Sequence, residues 1–175
     1  MILKLCLDLN IWCAALLAEK KNRQDTACQT LVKIVRKREC AWGRVELVIS
    51  WGMLNRLEKV LVKDLQVSTL TAQLYLKSIE DYTWQSPQLT LGGTGIIPLH
   101  DLEDAHVLET AVAGKAQILV TANFKDFIDK NVEIVIENRH GVYRSADFKC
   151  QIVHPYLMVH WLNTLVSYPD SKFRI

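Results

Sequence analysis

Oxygen-bearing side chains recur in this chain directly after short apolar runs. Asp8 and Asn10 follow Ile2–Leu7, and Ser50 follows Glu46–Ile49. Asp101 and Asp104 follow Ile96–Leu99, while Thr121, Asn123 and Asp126 close the run Gln117–Thr121. Apolar runs this short suit buried strands. Carboxylates carried by separate strand ends repel one another if the fold gathers them, and a hard divalent cation is the usual remedy. Mg²⁺ takes oxygen ligands from one or two carboxylates together with waters and substrate phosphates. The spacing therefore points to a cation-binding rim, provided that the strands run parallel.

The segments between the runs have the patterning that this requires. Ile11–Leu17 is long and apolar enough for a helix. Asp25 or Thr26 caps a second, with Ala27, Leu31, Ile34 and Val35 on one face. Ser50 caps a third, striped by Leu54, Leu57, Val60 and Leu61, and a fourth runs from Ser68 to Tyr82. Ser86–Gly95 reads as a loop, and Asp101–Gly114 as a helix stopped by its glycine. A helical turn covers Phe124–Ile128, and Glu133–Ile136 reads as the last strand. Residues 138–145 are polar and turn-rich, and Pro155 opens a terminal helix over Tyr156–Leu165. Strands alternating with helices predict a parallel sheet covered on both faces, with ligands bound beyond the carboxyl ends of the strands.

Composition narrows the class without naming a reaction. The 175 residues suit a single domain, half are hydrophobic, and the net charge is only +2. That excludes a strongly basic nucleic-acid coat but not a local patch. Five cysteines, an odd number with no paired spacing, read as free thiols in a reducing compartment rather than a zinc site. The apolar opening to Ala18 is interrupted by Asp8 and Asn10, so it is expected to be a strand and helix rather than a secretory leader. A cytoplasmic protein without a membrane span is expected.

Leu-Cys-Leu-Asp8-Leu-Asn10 resembles the opening strand of PIN domains. His-Asp101-Leu-Glu-Asp104-Ala-His-Val-Leu-Glu-Thr-Ala, followed by Ile-Leu-Val-Thr121-Ala-Asn123-Phe-Lys-Asp126-Phe, resembles the second half of bacterial PIN nucleases of the VapC-like kind. The resemblance covers residues 1–137, leaving 138–175 as a C-terminal extension packed on the same domain. It implies a three-layer α/β/α sandwich with a central, mostly parallel sheet. It also implies a metal-dependent ribonuclease using Mg²⁺ or Mn²⁺, with an antitoxin protein as partner if the chain is a toxin, and homodimers as a common assembly. Asp8 and Asp104 would be the main ligands, with Asp126 or Asn123 completing the set. Asp101, Thr121 and Ser50 would orient water or ligands, with Asn10 beside Asp8.

The chain departs from the family pattern at two places. Where PIN domains carry glutamate in the helix after the second strand, this chain has Arg56, and Glu58 lies two residues on, about 200° around a helix. Asn123 stands where many relatives have aspartate. Arg56 is suited to contacting a phosphate instead, and Lys21 and Arg23, with Lys33 to Arg38, to following an RNA backbone. These departures support a rival reading, a PIN domain that binds RNA or protein without cutting.

Each candidate also has an ordinary structural role: Asp101 as a helix cap, Asp126 as a surface turn residue, Thr121 and Asn123 bonding the strand end, Glu58 as a solvated charge. His100 and His106 flank the acids and are most simply structural. An aspartyl-phosphate phosphatase would need aspartate where Asn10 stands.

Overall fold

Leu3, Leu5, Cys6 and Leu7 have no solvent exposure, so β1 (Ile2–Leu7) is buried on both faces, as a central parallel strand must be. The computed structural model describes residues 2–83, 102–128 and 131–164, with the backbone alone at 102–104. The sequence-read loop Ser86–Gly95, the strand Ile96–Leu99, His100 and Asp101 lie outside the described residues, as does the side chain of Asp104.

From β1 the chain enters α1 (Leu9–Lys20) and α2 (Ala27–Lys37), then a short hairpin of β2 (Glu39–Cys40) and β3 (Gly43–Val48). Next come α3 (Trp51–Lys59), α4 (Thr69–Tyr82), α5 (Leu102–Ala113) and β4 (Ile118–Val120). A 3-10 turn, Phe124–Phe127, precedes β5 (Val132–Ile136), β6 (His140–Arg144), β7 (Lys149–Val153) and α6 (Pro155–Asn163). The sheet order is β2-β3-β1-β4-β7-β6-β5. The central pairs β3–β1, β1–β4 and β4–β7 are parallel, whereas the pairs at both margins are antiparallel. The expected α/β sandwich with a mostly parallel centre is thus the observed one.

Helix starts follow local chemistry. Thr26, rather than Asp25, caps α2 in a reciprocal capping box with Gln29. Ser50 and Ser68 cap α3 and α4 by accepting from Met53 N and Thr71 N. The stripe of α3 is buried at Leu54 and Leu57 and continues into a wider π-helical turn, Val60–Asp64, where Leu65 N donates to Val60 O at 3.0 Å. Such turns are frequent at functional sites. Arg38, read from sequence as part of a basic face, instead ties down the end of α4. Its guanidinium donates to the carbonyls of Asp81, Tyr82 and Thr83 at 2.8, 3.3 and 3.0 Å.

The C-terminal third corrects the sequence reading. Glu133–Ile136 is not the last strand: β5 is an antiparallel edge strand, and two more strands follow it. Residues 138–145, expected to be turns, contain the whole of β6, and only the tip around Asn138, at φ 56°, is a turn. β7 then enters the interior of the sheet beside β4. The polar appearance of this stretch misled because its polarity is satisfied across strands: buried His140 and Gln151 bond at 2.7 Å, Nε2 to Oε1.

Gly141 of β6 leaves no room for a side chain. A Cβ there would lie 2.9 Å from Val132 Cγ1, 3.1 Å from Phe124 Cζ and 3.3 Å from the Glu133 carbonyl oxygen. Gly141→Ala is expected to cost about 1–3 kcal/mol through overpacking, read as a lower urea midpoint. Displacement of the Phe124 ring would also disturb the turn that carries Asn123. An unchanged midpoint would show that the contact relaxes freely.

Candidate active site

The strand registers place four residues in one row at the carboxyl edge of the parallel strands. Cys6 pairs with Val48, Leu7 with Val120, and Val120 with Val153. Two residues beyond the first pair and one beyond the others, Ser50, Asp8, Thr121 and His154 lie level across β3, β1, β4 and β7. Adjacent strands are about 4.8 Å apart, so neighbours in this row are close enough to interact.

Asp8 is the centre of the row. It is only 3 % exposed, and its carboxylate accepts three hydrogen bonds. Leu9 N donates to Oδ1 at 2.6 Å, Asn10 Nδ2 to Oδ2 at 2.6 Å, and the Thr121 hydroxyl to Oδ2 at 2.7 Å. Thr121 Oγ1 in turn accepts from Asn123 N at 2.9 Å and from Asn10 Nδ2 at 3.3 Å, and Asn10 Oδ1 accepts from Ala122 N at 3.2 Å. The loop after β4 is therefore fastened to the residues after β1. Burial pushes the Asp8 carboxyl up to about 6 despite these three donors, and the charge of Asp126 pushes the same way. A carboxylate held dry in this manner gains from an added cation.

Thr121 can be isolated by Thr121→Val, which keeps the shape and removes the hydroxyl. Loss of a donor to a buried carboxylate is expected to destabilise the fold by about 1–3 kcal/mol at neutral pH and to raise the Asp8 pKa further. Urea titration and NMR titration of the Asp8 carboxyl check the two effects. Unchanged values in both would show that Thr121 does not hold Asp8.

Asp8 opens onto a cleft of about 380 Å³ that Asn10, Asn123, Val60, Leu65 and Val107 also line. Asn123 precedes the 3-10 turn, which Phe124 and Phe127 anchor in the core while Asp126 stays exposed. Val107 is the residue of α5 that lines the same cleft, and Asp104 lies three residues before it in the sequence. Cys13 lines it as well, but burial and the charge of Asp8 push its thiol up to about 11, so it is protonated and a poor ligand or nucleophile at neutral pH. None of the five cysteines is in a disulfide.

Other sequence candidates sit elsewhere. Glu58 lines a separate groove between α3 and α4 with Gln73, Lys77 and Glu80, so the structure does not bring it to Asp8. Two residues, about 200° of rotation, separate it from Arg56, so the two leave α3 in different directions. Arg56 is half-buried on α3. Ser50 shares the row with Asp8, but its hydroxyl bonds Met53 N at 3.2 Å and Thr110 Oγ1 at 3.0 Å, coupling α3 to α5. His106 is fully buried on α5, which also buries Glu109, an acid that sequence reasoning did not single out. Lys33 and Arg36 share a groove with Glu19 and Asp25, whereas Lys21 and Arg23 line one without acids. His154, the row's fourth member, was missed because β7 was missed. The signal available was the apolar pair Ile152-Val153 directly before it.

Among the described residues no three His, Cys, Asp or Glu side chains form a group able to hold a metal ion. Carboxylate oxygens such as those of Asp8 are hard donors, of the kind a divalent cation takes rather than a thiolate-loving metal. No helix among the described residues is long and apolar enough to cross a membrane. No curated protein matches the chain. One family model, described as a PIN domain, matches residues 4–125.

Proposed function

The chain belongs to the PIN-domain family, whose members are generally metal-dependent nucleases, and from that premise we propose that it hydrolyses phosphodiester bonds of RNA with Mg²⁺ or Mn²⁺. The observation that carries the proposal is Asp8: a buried carboxylate at the strand rim, with its pKa raised to about 6, facing a cleft that Val107 of α5 also lines. Burial of an ionisable group without a structural ion pair is costly, and sites of chemistry are where such costs persist.

Asp8 and Asp104 would hold the cation, with Asp126 or Asn123 completing the set. When bound, the cation supplies a more acidic water and offsets negative charge on the phosphoryl group and leaving oxygen. The remaining work falls to the chain's own groups. Leu9 N, Asn10 and Thr121 fix the Asp8 carboxylate in one orientation and leave little freedom to be lost on binding. The apolar walls at Val60, Leu65 and Val107 exclude water, which strengthens interactions among the charges inside. Asp101 belongs to the same proposal as a residue orienting water at the start of α5. A toxin role with an antitoxin partner, and a homodimer, are further parts of the proposal.

The rival reading, RNA binding without cleavage, is favoured by Arg56 and Asn123, each of which replaces an acid of the family pattern. The two separate on one measurement: Mn²⁺-dependent cutting of single-stranded RNA that disappears in Asp8→Asn and Asp104→Asn. RNA binding with no cutting by any of the three proteins would establish the rival.

A further inference from the structure

At the end of β7 the sheet offers a rim position that the acidic site does not use. His154 lies two strands from Asp8, about 10 Å across the sheet. Its ring stacks on Tyr156, with centroids 5.5 Å apart and planes at 23°. Tyr156 stands in the first turn of α6, behind Pro155, and is 71 % exposed. An aromatic ring supported on one face and open on the other is the form of a stacking platform.

In front of the platform runs a groove of about 370 Å³, within the range of small-ligand sites. Ala14, Leu17 and Ala18 of α1 form part of its apolar floor, and Lys21 and Arg23, both exposed, stand at its side. Among the described residues no acidic side chain lines it. Arg139, whose carbonyl accepts from His154 N at 2.8 Å, adds a further positive charge nearby. Partial burial, then that charge, lowers the His154 pKa, so the ring stacks in its neutral form at pH 7. Ala14 and Leu17 also line the cleft of Asp8, and Ala122 here adjoins Asn123 there, so the two depressions are neighbours that share a wall of α1.

We propose that this groove binds a nucleotide of single-stranded RNA flanking the one cut at Asp8, with its base stacked on Tyr156 and its phosphate held by Lys21 and Arg23. The proposal rests on the nuclease reading for the direction of the strand but not for the binding itself. An apolar floor, one open aromatic face and two adjacent cations match a base joined to a phosphate. An acidic peptide would use the cations and leave the ring without a role. Stacking tolerates any base, so the groove confers affinity without marked sequence choice.

The test measures binding of a labelled single-stranded RNA of about 12 nucleotides by fluorescence anisotropy in EDTA, so that no cleavage intervenes. Tyr156→Ala is expected to weaken binding about 5- to 160-fold, the range for losing one base stack. Tyr156→Phe keeps the ring and is expected to bind within about twofold of wild type. Lys21→Ala with Arg23→Ala is expected to weaken binding and flatten its log–log salt dependence by about 1.4. Tyr156 is exposed, so its replacement leaves the core intact, and matched thermal melts check this. Binding by Tyr156→Ala within about twofold of wild type overturns the proposal, as does equally tight wild-type binding of poly-glutamate. Tyr156-dependent binding without Mn²⁺-dependent cutting would keep the platform and remove the nuclease reading. Cutting and binding both indifferent to Tyr156→Ala would keep the nuclease and remove the platform.

Discussion

Asp8→Asn is expected to lower Mn²⁺-dependent cleavage of single-stranded RNA by about a thousandfold or more, with Asp104→Asn matching it. A cation stabilises developing phosphoryl charge by several kcal/mol, and about 4 kcal/mol corresponds to three decades of rate. The amide retains nearly the volume of the carboxylate, and Leu9 N can still donate to its oxygen, so the fold should survive. Stability supplies the control. In EDTA at pH 7.5 wild type carries the cost of a buried charge, which the neutral amide avoids, so the melting temperature of Asp8→Asn should not fall. Mn²⁺ at about 100 times its Kd adds about 2.7 kcal/mol to wild type, a rise of roughly 5–10 °C for a domain of this size, and adds nothing to the variant. Cleavage by Asp8→Asn within tenfold of wild type would exclude Asp8 as a ligand, and equal Mn²⁺ stabilisation of both would place the ion elsewhere.

The row that carries Asp8 was half legible in the sequence. Asp8 follows an unbroken apolar run, and the cap at Ser50 and the strand end at Thr121 stand in equally plain local patterns. What tied them into one network was not local. The bonds of Thr121 to Asp8 and of Asn10 to Thr121 depend on a parallel register that pairs residues more than a hundred positions apart. His154 and Tyr156 were invisible for a related reason. β6 and β7 bury polar His140 and Gln151 against each other, so neither strand alternates cleanly between apolar and polar. Glu58 shows the opposite case, in which helical geometry alone foretold that it could not take the place of Arg56, and the groove it lines agrees. Local pattern reveals a residue's element, whereas register decides its neighbours.

Protons and the cation should compete for Asp8, which yields the second large effect. The carboxylate binds metal and the acid does not, so with sub-saturating Mn²⁺ cleavage is expected to fall about tenfold per pH unit below about 6. Each tenfold increase in Mn²⁺ within that regime should move the acid limb about one unit lower. Stability in EDTA must run the other way. The folded pKa of Asp8, about 6, lies above the unfolded value near 3.8, so the folded chain holds this proton more tightly. Its stabilising contribution is therefore complete below the unfolded value and is lost as pH rises through about 6, at a cost of about 3 kcal/mol. Saturating Mn²⁺ should cancel that loss, and Asp8→Asn should show neither trend. Urea titrations at pH 5 and 7.5, with and without Mn²⁺, read the stability arm, of which about 1.4 kcal/mol falls in that window, and initial rates over the same range read the other. An acid limb near pH 4 that ignores Mn²⁺ concentration would mean that Asp8 is ionised for structural reasons alone, and that the cation, if one acts, is held by other residues.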